Sequence, residues 1–445
     1  MNHMENPYNA NIFSERIAVA LTLYLCFSYI LRSLGMRNRM GWIFLAVYWL
    51  YAVIRYRGRF YISRRRLTYV WIGFVVLLFF LLPIANNSAK KTQSLIVDIL
   101  FCVLYLLSAK IDNRNFDTVI KIFIRVGLFM ALFITICSLF PRVYSSYIVP
   151  LLAKTEMEDV ISSYEKGYGV TIGGSAIYPS FIICVGVFFC FADLLYGSKY
   201  RKRIVNTIYL AIFFLGLFIT GRRGTPIALA LSMVLVYLIT TPKNAKKILK
   251  RTGLLIAIVV IFIVLINILV RNGYLTRYVS SAQLLIGNNI DINVINRLTS
   301  SRLFLSIEAW KLFLSSPIIG VGWGTFALHV STKVFNVHNC WLQFLCETGI
   351  IGFTCLSVPI VGLFLNSRKK LKRVIKNTHA ISTQKNVFFV TTGVQLYLLV
   401  MITIEPMFYR DYYHMLFVIL ILLAEYGIGL EKNNDLFEQY GAGSS

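Results

Sequence analysis

The chain has 445 residues, 57% hydrophobic and only 14% charged, with a mean hydropathy of +0.69. A soluble domain carries roughly 25% charged residues, so a set of soluble domains is excluded and one membrane-embedded bundle is predicted instead. The formal charge of +26 could serve nucleic acid, but the Lys and Arg sit in short clusters between apolar stretches, where membrane topology and anionic headgroups account for them.

A bilayer core of about 30 Å takes roughly 20 apolar residues per helix. In chain order the predicted spans are 16–34, 41–56, 67–85, 92–110, 117–140, 175–197, 204–221, 224–241, 251–270, 338–366, 386–404 and 412–430. The expected fold class is thus an all-α polytopic membrane protein of about twelve transmembrane helices, with residues 1–445 forming a single membrane domain. The first apolar run lacks a small-residue cleavage site and is expected to remain as the first helix. The eight cysteines fall within or beside apolar runs and form no CxxC pair, which fits small buried hydrophobes and not a disulfide framework.

Orientation follows from Lys and Arg in short loops. If both termini are cytoplasmic, the inner loops hold the clusters Arg64 to Arg66, Lys199 to Arg203, Lys243 to Arg251 and Arg368 to Lys376, and the short outer loops hold far fewer basic residues. Two outer, periplasmic loops are then long. Residues 141–174 are mildly acidic, with Glu156, Glu158, Asp159 and Glu165, and end in a glycine-rich stretch. Residues 271–337 form the larger loop, in which an amphipathic helix is expected at about 301–315, stopped by Pro317 and a turn at Gly320, Gly322 and Gly324.

Three groups of residues could carry chemistry. The outer turn Thr220-Gly221-Arg222-Arg223-Gly224 puts two arginines against the positive-inside tendency. They are either snorkelling side chains or a guanidinium clamp for phosphate oxygens. The second group runs from Arg302 through Pro317, Gly320 and Gly322 to His338, Asn339, Glu347, Gly349 and Gly352. His338 lies where the outer loop meets the tenth span; its imidazole suits proton transfer, and a hydrogen-bonded structural histidine is the plainer alternative. The third is the short outer loop Glu405 to Tyr412, in which Glu405 and Arg410 belong either to a sugar-binding or salt-bridged rim or to a plain solvated turn. There is no Walker A, GxSxG or HExxH motif and no DxD-like pair in an outer loop, so neither a metal nor a cofactor is implied. Acidic residues in the spans are few, which is thin for an ion-coupled transporter.

The second group resembles the signature of the bacterial O-antigen polymerase and O-antigen ligase superfamily: an Arg fifteen residues before P-x-x-G-x-G, a loop, then H-N and E-x-G-x-x-G. The Gly-Arg-Arg-Gly turn is similar to that family's outer Arg motif, and the span layout with one large late periplasmic loop agrees. The resemblance implies a GT-C-class integral-membrane glycosyltransferase of the inner membrane, whose donor and acceptor are undecaprenyl-diphosphate-linked oligosaccharides. It implies Arg222 or Arg223 together with Arg302 on the diphosphate, His338 as general base, and Asn339 and Glu347 in support. Inversion by a single displacement would need no metal. The His-Asn-x-Trp-Leu-Gln stretch at 338–343 looks more like the polymerases than the ligases of lipid A-core. A chain-length regulator protein is a further partner that the resemblance implies. A flippase or other transporter is the alternative from a different class.

Overall fold

The computed structural model describes residues 8–33, 38–55, 71–73, 89–165, 168–169, 177–197, 200–240, 302–330, 336–377, 382–405 and 411–441, with isolated positions 253, 260, 270 and 271. The described residues contain helices and no strand. The chain is a polytopic membrane protein, as its hydropathy predicts. The principal helices are α1 (Tyr8–Ser33), α2 (Asn38–Arg55), α3 (Ala89–Ser108), α4 (Phe116–Leu139), α5 (Lys154–Glu165), α6 (Ile177–Tyr196), α7 (Tyr200–Ile219), α8 (Gly224–Thr240), α9 (Arg302–Ser315), α10 (Phe326–His329), α11 (Cys340–Lys376), α12 (Ser382–Ile402) and α13 (Asp411–Gly441). The spans expected at 67–85 and 251–270 lie outside the described residues, save a few positions, and each of the others falls on a described helix. Five of these helices are long and apolar enough to cross a membrane on length and composition alone.

Helix α12 is the inner post of the bundle, packed by α6, α8, α11 and α13. It is buried on all sides, enclosing Gln384, Thr391, Thr392 and Gln395 with its apolar residues, and Phe388, Val394 and Tyr397 are fully enclosed. Helix α6 is enclosed in the same way and packs on α4 and α7. Close contact is made through small residues: a Cβ on Gly216 of α7 would meet Ala131 of α4 at 2.6 Å, the small-residue crossing usual where apolar packing, not water exclusion, drives association. All eight cysteines are free and buried, as their positions suggest.

One helix departs from its sequence pattern. Helix α11 is broken at Gly349, which adopts φ +62 and ψ −171. The backbone groups that the break releases are taken up by the turn after α9. Val321 and Gly322 donate to the carbonyls of Cys346 and Glu347 at 2.9 Å each, and Ile350 donates to Pro317 at 2.9 Å. A broken helix in a membrane protein is tolerated where its freed groups are paired in this manner. The Pro317-to-Gly322 segment is therefore a plug for the break, and Gly320 and Gly349 are glycines because the two backbones cross too closely for a Cβ on either.

Candidate functional site

Four segments distant in sequence meet at one end of the bundle. The first is the turn between α7 and α8. Gly221, at φ +66, ends α7 in the left-handed conformation that suits glycine, and Pro226 lies in the first turn of α8. The turn is drawn against the end of α12, since a Cβ on Gly224 would meet the Ile404 side chain at 2.8 Å. Arg222 projects from this turn with its guanidinium carbon 4.7 Å from the centre of the Tyr168 ring. The segment carrying Tyr168 is tied down by the hydrogen bond from Gly169 N to Thr220 O at 3.1 Å. Arg223 is half-buried beside Arg222.

The second segment is the start of α9. Arg302, its first residue, directs its fork at the end of α12: Nη1 donates to the Ile404 carbonyl at 2.6 Å and Nη2 to Glu405 Oε1 at 3.0 Å. The third is the approach to α11. His338 holds φ +58, the one positive φ outside glycine among the described residues, and its Nδ1 lies 3.5 Å from Glu405 Oε2. Holding an imidazole-bearing residue in the left-handed region costs about 1–3 kcal/mol and persists only where the surroundings fix it. What fixes it is on either side. Asn339 caps α11 by accepting from Leu342 N at 3.2 Å, and the Gln343 side chain accepts from Val337 N at 3.2 Å.

The fourth segment is Glu405 itself, just past the end of α12 and 6% exposed. One carboxylate oxygen receives Arg302 and lies 3.9 Å from Arg222 Nη1, while the other faces His338. Burial alone would raise this carboxyl, but the contact with His338 and the guanidiniums of Arg302 and Arg222 outweigh it and hold it below its ordinary value of 4.5. Glu405 stays ionised. With two arginines around one carboxylate, the site keeps net positive charge for an anionic ligand.

Of the residues singled out in the sequence, Arg222, Arg302, His338 and Glu405 are thus brought together, and Arg410 lies outside the described residues. Asn339 positions His338 through the cap. Glu347 does something else. Fully enclosed, it accepts from Gly324 N at 2.7 Å, Phe326 N at 3.1 Å and Gln343 Nε2 at 3.3 Å. It braces the glycine-rich turn, and through Gln343 it reaches the His338 segment at one remove. Sequence reasoning passed over Tyr168 and gave no role to Gln343. An aromatic between two glycines in an outer loop, and a glutamine one helical turn into α11 and one turn before Glu347, were the available signals.

The family model described as O-antigen ligase matches residues 208–357. That stretch runs from α7 into α11, taking in Arg222, Arg302 and His338 but ending before Glu405. No curated protein matches the chain.

Proposed function

We propose, from the match of residues 208–357 to the family model described as O-antigen ligase, that this chain is a membrane glycosyltransferase acting on lipid-diphosphate-linked glycans, and specifically a polymerase of repeat units. The observation that carries the chemistry is the convergence of Arg222, Arg302 and His338 on the single carboxylate of Glu405. Two guanidiniums on one side supply fixed positive charge, and on the other an imidazole is held by a carboxylate at its Nδ1. Charge stabilisation and proton acceptance are the two things a displacement at an anomeric carbon requires when the leaving group is a diphosphate.

In the reaction so read, His338 accepts the hydroxyl proton of the acceptor sugar at Nε2, the nitrogen turned from Glu405. The acceptor oxygen forms its bond to the anomeric carbon as the bond to the diphosphate oxygen breaks. The electron pair leaves with the diphosphate, and the charge that develops there is met by Arg222 and Arg302. Glu405 keeps the imidazole in one tautomer and favours the imidazolium as it forms, the role of an orienting carboxylate beside a general base. The anomeric centre inverts. In this reading the site faces the periplasm, both termini are cytoplasmic, and the host membrane is the bacterial inner membrane, as the basic clusters of the loops argue.

The second reading is a ligase that transfers the carrier-linked glycan to lipid A-core, favoured by the description of the matching family model. Both readings share the site, and a deletion strain separates them. Surface polysaccharide run on a gel beside the extracted carrier lipids should show single repeats on the acceptor for a lost polymerase. Bare acceptor with long polymer stranded on the carrier would instead mean a ligase. An unchanged ladder would sink both.

A further inference from the structure

Helix α9 has three faces where a solvent-exposed helix has two. At about 100° per residue, Leu305, Ala309 and Leu312 fall on one side, and they pack with Phe326, Val330 and Cys346. Roughly opposite them stand Ile307, Trp310 and Leu314, which are 44%, 48% and 61% exposed. Between the two faces lie Glu308 and Lys311, paired at 2.8 Å. A helix packed on protein and otherwise bathed in water would carry polar residues over the whole exposed half. This one divides its exposed half into an apolar wedge and a second wedge in which Glu308 and Lys311 flank the 40%-exposed Phe304.

The apolar wedge does not end with the helix. Ile318, 61% exposed, follows it, and this segment is hydrogen-bonded across the plugged break to the backbone of Ile350 and Ile351, 47% and 38% exposed. From there the wedge continues along α11 through Val358, which is 50% exposed on a helix apolar enough to cross the membrane. The depth agrees. The turn after α9 meets α11 at Gly349, nine residues from the site end of that helix, or ~13 Å at 1.5 Å per residue. So α9 descends alongside a membrane-spanning helix from Arg302 at the site toward the level of the break.

From this continuity we infer that α9 is embedded in the bilayer leaflet on the site's side, with Ile307, Trp310 and Leu314 among the acyl chains and Glu308 and Lys311 toward the headgroups and water. An indole at this level is where aromatic residues gather in membrane proteins. The embedding does not rest on the glycosyl-transfer reading. If both hold, Arg302 stands at the depth of a lipid diphosphate, and the carrier reaches it sideways from the leaflet instead of from the aqueous loop.

The test is the fluorescence of Trp310 in the full-length protein, reconstituted into phosphatidylethanolamine and phosphatidylglycerol vesicles and taken as the difference between wild type and Trp310→Phe. Phe keeps the apolar wedge, so the variant should insert and melt as wild type does. The Trp310 emission is expected to be lost for the most part when the vesicles carry mid-chain brominated lipids, and to resist aqueous iodide. In parallel, Lys311→Cys should react with a membrane-impermeant maleimide while Leu314→Cys does not. Iodide quenching of Trp310 without bromolipid quenching would overturn the inference by placing the wedge in water. Emission quenched by neither agent would overturn it too, since a second copy or another protein would then cover the face. Neither result would touch the proposal for the reaction, because nothing measured is turnover.

Discussion

Glu405 holds one carboxylate against two guanidiniums and an imidazole, so its charge sets both the potential offered to a ligand and the orientation of His338. Replacing it by Gln preserves shape and leaves the arginines uncompensated. The expected cost is about 3 kcal/mol, the low end for a broken buried pair because Arg302 is a third exposed, read as a lower melting temperature in detergent. The pH dependence has a definite sign. The folded-state carboxyl is depressed, so its stabilisation is complete above the ordinary value of 4.5 and is lost only as pH falls through the lower folded value. The melting difference between wild type and Glu405→Gln should therefore be flat from about pH 8 to about pH 5 and shrink below that; a difference that fades between about pH 7 and pH 6 would contradict the ionised hub. For His338, Ala and Asn variants should each lose roughly a hundred- to ten-thousand-fold in turnover. Asn tolerates the left-handed backbone at this position, so its melting temperature should stay near wild type, whereas a histidine that served only the fold would lose stability in both. The sequence singled out Arg222, Arg302, His338 and Glu405 in separate groups, but not Glu405 as the partner common to the other three. Glu405 is 103 residues from Arg302, and only the folded chain joins them.

At the scale of elements, hydropathy located the helices and concealed the break in one of them. A span is recognised by averaging over about 19 residues, and one glycine with positive φ leaves that average unchanged. The Glu347-to-Gly352 stretch showed itself as a motif of charged and small residues in an apolar run, yet its purpose is geometric: Gly349 turns the backbone, and Glu347 ties the plug that satisfies it. Three substitutions test this. Gly349→Ala would force a left-handed alanine into the Ile318 backbone and should cost at least about 3 kcal/mol. Gly362→Ala, farther along the same helix with open space around it, should be neutral or stabilise by up to about 1 kcal/mol. Glu347→Gln can no longer accept both amide donors and should lose about 1–3 kcal/mol. If Glu347 acts only through the plug, turnover in that variant falls in proportion to the folded fraction and the pH profile keeps its shape. Equal melting temperatures for Gly349→Ala and Gly362→Ala would remove the plug as the reason for the break.

For the whole molecule, orientation decides which compartment supplies the glycan. Beyond Gly349, α11 continues for 27 further residues to Lys376, about 40 Å of helix against a hydrocarbon core of about 30 Å. It must therefore project from the face opposite the site, and the projecting end carries Arg368, Lys369, Lys370, Lys372, Arg373 and Lys376. Such a cluster next to a span is expected on the cytoplasmic side, which supports the proposed placement of the Glu405 site outside. On the site's side, α4 is followed by a short π-helical segment, Tyr144–Ile148, on which Ser145 and Ser146 are exposed. Because every native cysteine is buried and free, introduced thiols should react over a low background. Ser146→Cys is expected to label with an impermeant maleimide in intact spheroplasts, and Arg368→Cys only after the membrane is opened. The reverse pattern would put the arginines and His338 in the cytoplasm, where nucleotide sugars are available as donors, and the case for a lipid-diphosphate donor would lose its spatial argument. Labelling of both thiols before permeabilisation would mean that α11 does not cross the membrane, and the length of its basic end would need another cause.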